Sequence, residues 1–305
     1  MTTIPFTKMV GTGNDFIVVD ARHLRLPAPR WAAASRAWCD RHRGIGADGV
    51  LVLEPSRVAD VKMRIFNPDG SEAEMCGNGA RCVARFLRPR PQPEPVAIET
   101  AAGVVKATVS QNRVAMRMTP PTGLRPEMAL AVDGRRLRMG VVNTGVPHVV
   151  IPVAALDRVE VARLGRLLRF HRAFAPQGTN VNFIQADAAH PNRLRVRTYE
   201  RGVEAETLAC GTGIAASAVI YALHRRLWRA GGRSNGYAAA CRVEVLPRSG
   251  DLLVVTFTVT TAHGSPQIAD LVVEGAASTS FEGEVGWPGP ASSRRAPAGA
   301  RPLAC

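Results

Sequence analysis

Short apolar runs alternate with glycine-rich turns through roughly the first ninety residues, and the spacing of the apolar positions names the elements. Phe16-Ile-Val-Val-Asp20 and residues 50–53 and 61–66 carry the compact apolar character of strands, whereas residues 30–43 repeat at helical spacing. Asn67-Pro-Asp-Gly70 has the composition of a turn. Cys76-Gly-Asn-Gly79 then precedes a helical pattern over 80–87 that Pro89 ends. The four prolines within 89–95 predict a linker or surface loop, followed by strands over 96–100, 104–109 and 114–118.

Pro120-Pro-Thr-Gly123 is the expected domain boundary. Beyond it strands are predicted over 181–184 and 194–199, Ala209-Cys-Gly-Thr-Gly213 opens a helix over 214–227, and strands return over 243–246, 252–260 and 271–273. From Gly286 the chain is proline, glycine, alanine, serine and arginine without periodicity, which predicts a disordered tail over 286–305.

The second half echoes the first. Gly13-Asn-Asp-Phe16-Ile-Val-Val-Asp20 parallels Thr179-Asn-Val-Asn-Phe183-Ile-Gln-Ala-Asp187, and Arg64-Ile-Phe66 through Cys76-Gly-Asn-Gly79 parallels Arg197-Thr-Tyr199 through Cys210-Gly-Thr-Gly213. On this reading the offset falls from 167 at the phenylalanines to 134 at the cysteines, so connecting loops differ in length. Two copies of one supersecondary unit imply two similar α/β domains, each with a Cys-Gly-x-Gly at a helix start.

Such a helix start leaves backbone N–H groups unpaired and carries partial positive charge, which favours a cysteine thiolate and can hold a carboxylate. Glycines beside the cysteine let a ligand approach the backbone. Two domains packed about a pseudo-twofold axis would bring Cys76 and Cys210 face to face. One would take a proton from one face of a carbon while the other delivers a proton to the opposite face. The same cysteines also fit a redox disulfide or two structural thiols.

Charge changes this picture little. The 39 basic residues, 36 of them arginine, exceed the 25 acidic ones by 14, which raises a nucleic-acid-binding surface as an alternative. Aromatics make up only 5% of the chain and the arginines are scattered, so the excess reads as compositional bias. At 305 residues, 46% of them hydrophobic, the chain can build its core without disulfides. Six cysteines are too few for a disulfide scaffold and form no zinc-type spacing. Cys82 reads as packed, and Cys39, Cys241 and Cys305 have no motif around them. The first residues lack a secretory pattern and no apolar run approaches the about 20 residues a membrane helix needs, so the expectation is a cytoplasmic protein with no membrane association.

The combined segments resemble the diaminopimelate epimerase family. They are Lys8-Met-x-Gly-x-Gly-Asn14-Asp-Phe16, Arg43-Gly-Ile-Gly-Ala-Asp48, Phe66-Asn-x-Asp-Gly-Ser-Glu72, Met75-Cys-Gly-Asn-Gly-Ala-Arg-Cys82, Thr144-Gly-x-Pro-His148, Gly178-Thr-Asn-Val-Asn-Phe183, Tyr199-Glu-Arg-Gly202 and Glu206-Thr-Leu-Ala-Cys-Gly-Thr-Gly213. The resemblance implies a cofactor-independent isomerase that interconverts LL- and meso-diaminopimelate, holds no metal, binds no nucleic acid and forms a homodimer. It implies an N-terminal domain over 1–119 completed by a last strand at about 274–285, and a C-terminal domain over 120–273, each a barrel-like sheet around a central helix. Cys76 and Cys210 become the acid–base pair. Asn14, Asn67, Asn180, Glu200 and Arg201 become substrate contacts, with Gly77, Asn78, Gly211 and Thr212 at the reacting end and His148 and Glu200 supporting the cysteines. Arg201 suits a distal carboxylate, because its planar fork can bind both oxygens. Val146 departs from the family, many members having Asn before Pro-His, and Gly49 stands where some have Gln. A related epimerase acting on another amino acid is therefore the alternative.

Overall fold

The computed structural model describes residues 3–24, 26–227, 238–262 and 265–288. In chain order the first elements are β1 (Thr3–Gly11), β2 (Asn14–Asp20), α1 (Ala28–Trp38), β3 (Gly49–Glu54), β4 (Val61–Phe66), β5 (Glu72–Ala73), α2 (Gly77–Leu87), β6 (Gln92–Thr100), β7 (Gly103–Ser110) and β8 (Arg113–Arg117). There follow β9 (Thr122–Val132), β10 (Arg135–Asn143), β11 (Pro147–Pro152), α3 (Val161–Arg169), β12 (Asn180–Ala186), β13 (Arg193–Glu200), β14 (Ala205–Thr207) and α4 (Gly211–His224). The last are β15 (Ala238–Leu246), β16 (Leu253–Ala262), β17 (Ser265–Ala276) and β18 (Ser278–Gly286). Among the described residues no helix is long and apolar enough to cross a membrane.

The chain forms two compact units, one running to Met116 and resuming at Gly275, the other spanning Arg117–Glu274. In the first, hydrogen-bonded neighbours run β18–β1–β2–β3–β4–β6–β7, with β2/β3 and β4/β6 parallel and the other pairs antiparallel. In the second the order is β9–β10–β11–β12–β13–β15–β16–β17, with β11/β12 and β13/β15 parallel. One helix in each unit touches strands at or next to both ends of its order, so the sheet curls around it: α2 meets β18 and β7, and α4 meets β9 and β16. Every residue of α4 except Thr212 and His224 is buried, as an all-round apolar helix requires.

This topology corrects the sequence echo. The counterpart of β2 is β11, and that of β3 is β12, because each pair is parallel, flanks a helix (α1 or α3) and precedes the strand that leads to the Cys-Gly-x-Gly motif. Glycines with positive φ mark the same alignment: Gly13 and Gly145, Gly46 and Gly178, and Gly70 and Gly202 are each 132 positions apart. The likeness between residues 13–20 and 179–187 reflects a shared strand pattern of one polar flank and an apolar run, which any half-buried strand repeats.

Other expectations change locally. The helix over 30–43 ends at Trp38, because the Asp40 carboxylate accepts the backbone N–H groups of His42 and Arg43 at 2.8 and 2.9 Å and turns the chain. The last part of the proline-rich stretch belongs to β6. Gly286 closes β18, and Trp287 lies edge-on to Trp31 and Trp38 with ring centroids 5.3 and 5.5 Å away and Arg30 over its face. The predicted disorder therefore does not begin at Gly286; residues 289–305, including Cys305, lie outside the described residues.

Candidate active site

Cys76 and Cys210 each occupy the N-cap of the central helix of their unit, in extended backbone with φ of −145° and −122°, and both are fully buried. Their surroundings differ. The Cys76 sulfur accepts the Gly79 N–H at 3.4 Å. Two residues on, the Asn78 amide donates to Asn14 Oδ1 at 2.6 Å and its own oxygen accepts from the guanidinium of Arg81, which also reaches Thr12 Oγ1 at 2.7 Å. Asn14 in turn donates to Asp48 Oδ2 at 2.9 Å. Asp48 and Asp15 share Arg41, and Asp15 also pairs with Lys8 at 2.7 Å. A charge at each end thus fixes which way both asparagine amides point.

In the second unit the Cys210 sulfur lies 3.5 Å from Thr212 Oγ1. That hydroxyl is 2.9 Å from His148 Nε2, and His148 Nδ1 is 3.1 Å from Asn182 Nδ2. Asn182 also donates to the Val149 carbonyl at 3.1 Å and accepts the Thr198 hydroxyl at 3.0 Å. Thr144 Oγ1 donates to the Thr212 carbonyl at 2.8 Å and pins the first turn of α4. A Cβ on Gly213 would overlap Asn182 Oδ1 and come within 3.3 Å of His148, so only glycine lets this row reach the helix. A Cβ on Gly211 would meet nothing within 4 Å, leaving its backbone open to approach.

The remaining expected residues fall into two groups. Asn180 donates to the Pro147 carbonyl at 3.0 Å and accepts the Arg201 backbone N–H at 2.8 Å, tying the Pro-His strand to the Glu200-Arg201 turn; Glu200 accepts the Thr207 hydroxyl at 2.9 Å. Asn67 holds its own turn through Ser71 Oγ at 2.9 Å. Gly77 begins α2. Asp48, Arg81, Thr144, Asn182 and Thr198 were absent from the sequence expectation. Asp48, Arg81, Thr144 and Asn182 stand inside the quoted motifs, where the polar character of Arg81 at a helix position and of Asn182 at a strand position is the available signal. Among the described residues no group of three or more His, Cys, Asp or Glu side chains could hold a metal ion.

Burial sets the protonation of this core. His148 is pushed down to about 3, first by burial and then by the charge of Arg201, so the imidazole is neutral. Burial would raise Asp15, but hydrogen bonds and charge from Arg41 and Lys8 outweigh it and bring the carboxyl down to about 2. The Cys82 and Cys39 thiols are pushed up to about 12 by burial, which keeps them protonated and agrees with packing roles.

The diaminopimelate epimerase family model matches residues 6–124 and 140–268, which includes both cysteine motifs. The chain belongs to the diaminopimelate epimerase family. It is 41% identical over 292 residues to the diaminopimelate epimerase of Aquifex aeolicus, covering 92% of this chain and 97% of that one. The diaminopimelate epimerase of Methanothrix thermoacetophila is 42% identical, with 83% and 89% covered. Solved structures share the fold: a Bacillus anthracis PhzF-family phenazine biosynthesis protein has a TM-score of 0.64 at 21% identity over 93% of this chain and 99% of its own. A hydroxyproline epimerase from Agrobacterium vitis has 0.62 at 20% over 93% and 92%. This family member is thus an isomerase of the epimerase type. Val146 stands at the repeat counterpart of Asn14, and the side-chain oxygen Oδ1 of nearby Asn143 accepts the Gly145 N–H at 2.9 Å.

Proposed function

We propose that the chain interconverts LL- and meso-2,6-diaminopimelate by a two-cysteine acid–base mechanism, without pyridoxal phosphate or metal, on the route to lysine and peptidoglycan precursors. The observation that carries this reading is the duplicated placement of Cys76 and Cys210 as buried N-caps of the two central helices. Inversion at one carbon needs a base for one face and an acid for the other; a thiolate and a thiol supply them and exchange roles in the reverse direction. Unpaired N–H groups at the helix starts, with the open backbone at Gly211, suit the substrate α-carboxylate and the charge that develops as the α-proton leaves. Asn14, Asn67, Gly77, Asn78, Asn180, Glu200, Arg201 and Thr212 complete the binding and support set, and Arg201 takes the distal carboxylate. The same reading makes the enzyme a cytoplasmic homodimer.

The test is incubation of metal-free, pyridoxal-phosphate-free protein with LL-diaminopimelate in deuterated water, with stereochemical analysis of the product. The expected result is meso product with solvent deuterium at the inverted carbon, a bell-shaped pH–rate profile, and loss of epimerisation in both Cys76→Ala and Cys210→Ala. Full turnover by either alanine variant would refute the two-base mechanism.

A further inference from the structure

The two units build the same scaffold around the central helix but fill one set of positions differently. In the first, Leu51 lies against Gly79 of α2, with Ile65 its cross-strand partner and Val18 its partner in the parallel pair. In the second, Asn182 lies against Gly213 of α4, with Thr198 and Val150 in those same relations. Phe16 stands 132 positions before His148, at the same place on β2 that His148 takes on β11. Three buried apolar side chains in one unit are therefore replaced by three buried polar ones in the other. The scaffold holds these positions with hydrocarbon, so a hydrogen-bonded row there is not a requirement of the fold.

The row has a direction. A carbonyl only accepts, so the Asn182 atom 3.1 Å from Val149 O is the amide nitrogen. Its second hydrogen then points to His148 Nδ1, which must be the accepting nitrogen. A neutral imidazole that accepts at Nδ1 carries its proton at Nε2 and donates it to Thr212 Oγ1. The Thr212 hydroxyl, having accepted, is left with its own hydrogen for the Cys210 sulfur. We infer that Asn182 is a positioning residue that fixes His148 as the Nε2–H tautomer and so directs the Thr212 hydroxyl hydrogen onto Cys210, favouring its thiolate. The opposite tautomer would draw that hydrogen to Nε2 and away from the sulfur. This role rests on the proposed use of Cys210 as an acid–base group, and it makes Cys210 the cysteine poised to accept the substrate proton in the resting enzyme.

Nitrogen NMR of the histidine ring reads the tautomer without any assay of turnover. In the unaltered protein the His148 resonances should show a proton on Nε2 and a bare Nδ1. In Asn182→Asp, whose carboxylate accepts only, the proton should move to Nδ1. The ultraviolet thiolate absorbance of Cys210, taken as the difference from Cys210→Ala, should fall about tenfold or more at neutral pH, the scale of a lost hydrogen bond to a charged acceptor. Thr212→Val should lower the same absorbance with the tautomer unchanged, and Thr212→Ser, which keeps a hydroxyl, should restore it. A proton on Nδ1 in the unaltered protein would overturn the inference, and so would a Thr212→Val thiolate equal to that of Thr212→Ser; both readings survive a failure of Asn182→Asp to fold. An Nε2–H tautomer with the expected absorbances in a protein that does not epimerise diaminopimelate would leave the positioning role standing and remove the functional reading instead.

Discussion

The two units present one motif in two electrostatic settings. Around Cys76 the polar residues end on charges: Arg81 at one end of the asparagine pair, and Asp48, Arg41, Asp15 and Lys8 at the other. Around Cys210 the row of Thr212, His148, Asn182 and Thr198 is neutral throughout, ending on a backbone carbonyl and a hydroxyl. A charged network imposes orientation through strong contacts, each of them costly to remove. A neutral row imposes it through the donor–acceptor order of each group, so one change of protonation reverses the whole. The difference suits the proposed mechanism, in which the two cysteines take opposite protonation states in one turnover.

The largest expected break in this contrast comes from Arg81→Met. The guanidinium is 0% exposed, and its removal strands the buried oxygens of Asn78 and Thr12. Equilibrium unfolding in urea should show a loss of about 3 kcal/mol. Thr198→Val in the neutral row removes one donor from Asn182 at a position where the other unit has Ile65, and should cost about 1 kcal/mol. Equal losses would mean that the charged ends do not brace the first unit.

Acid should separate the two settings by pH. His148 sits at about 3 in the fold against an ordinary 6.5, so between these values the unfolded chain binds a proton that the native one does not. Stability must then fall as pH drops below 6.5, by about 2 kcal/mol near pH 5. Asp15 works from the other side: its carboxyl, at about 2 against 3.8, contributes fully above 3.8 and loses that contribution only as pH falls toward about 2. Denaturation curves across pH should show His148→Gln abolishing the first loss and Asp15→Asn leaving it intact. A His148→Gln protein with the unchanged slope between pH 6.5 and 5 would refute the buried neutral imidazole.

Much of this was readable in the residues. The strands over 61–66 and 194–199, both motif helices and the placing of each cysteine at a helix start follow from apolar spacing and glycine position alone. The region from 124 to 176 did not show itself. Within it the β9–β10 hairpin turns on Asp133-Gly134, both at positive φ, a dipeptide that signals such a turn. Helix α3 carries Gly165 at its centre, a poor helix former kept because a Cβ there would overlap the Tyr199 ring. The false alignment of residues 13–20 with 179–187 shows why strands mislead: their pattern encodes burial, not position, whereas turn glycines encode backbone geometry and kept the register. Asn182 is not marked by sequence because a polar residue inside a strand means little until its neighbours are known, and those neighbours come from two other strands, β11 and β13, and from α4.

The smallest expected change in stability is at Gly211, and its contrast with Gly213 separates the glycines of the second motif. Gly213 faces Asn182 and His148 with no space for a methyl group, so Gly213→Ala should cost about 1–3 kcal/mol of stability and lower kcat by displacing the row that reaches Cys210. Gly211 faces open space, so Gly211→Ala should change stability by less than about 0.5 kcal/mol and instead raise KM, because the methyl group would occupy the approach to the helix start. The pair separates the two uses of glycine that one motif combines, close packing within the unit and access for a ligand. A Gly211→Ala enzyme with unaltered KM would show that the substrate carboxylate does not approach α4 along that backbone, and would shift its binding to the Cys76 side of the comparison.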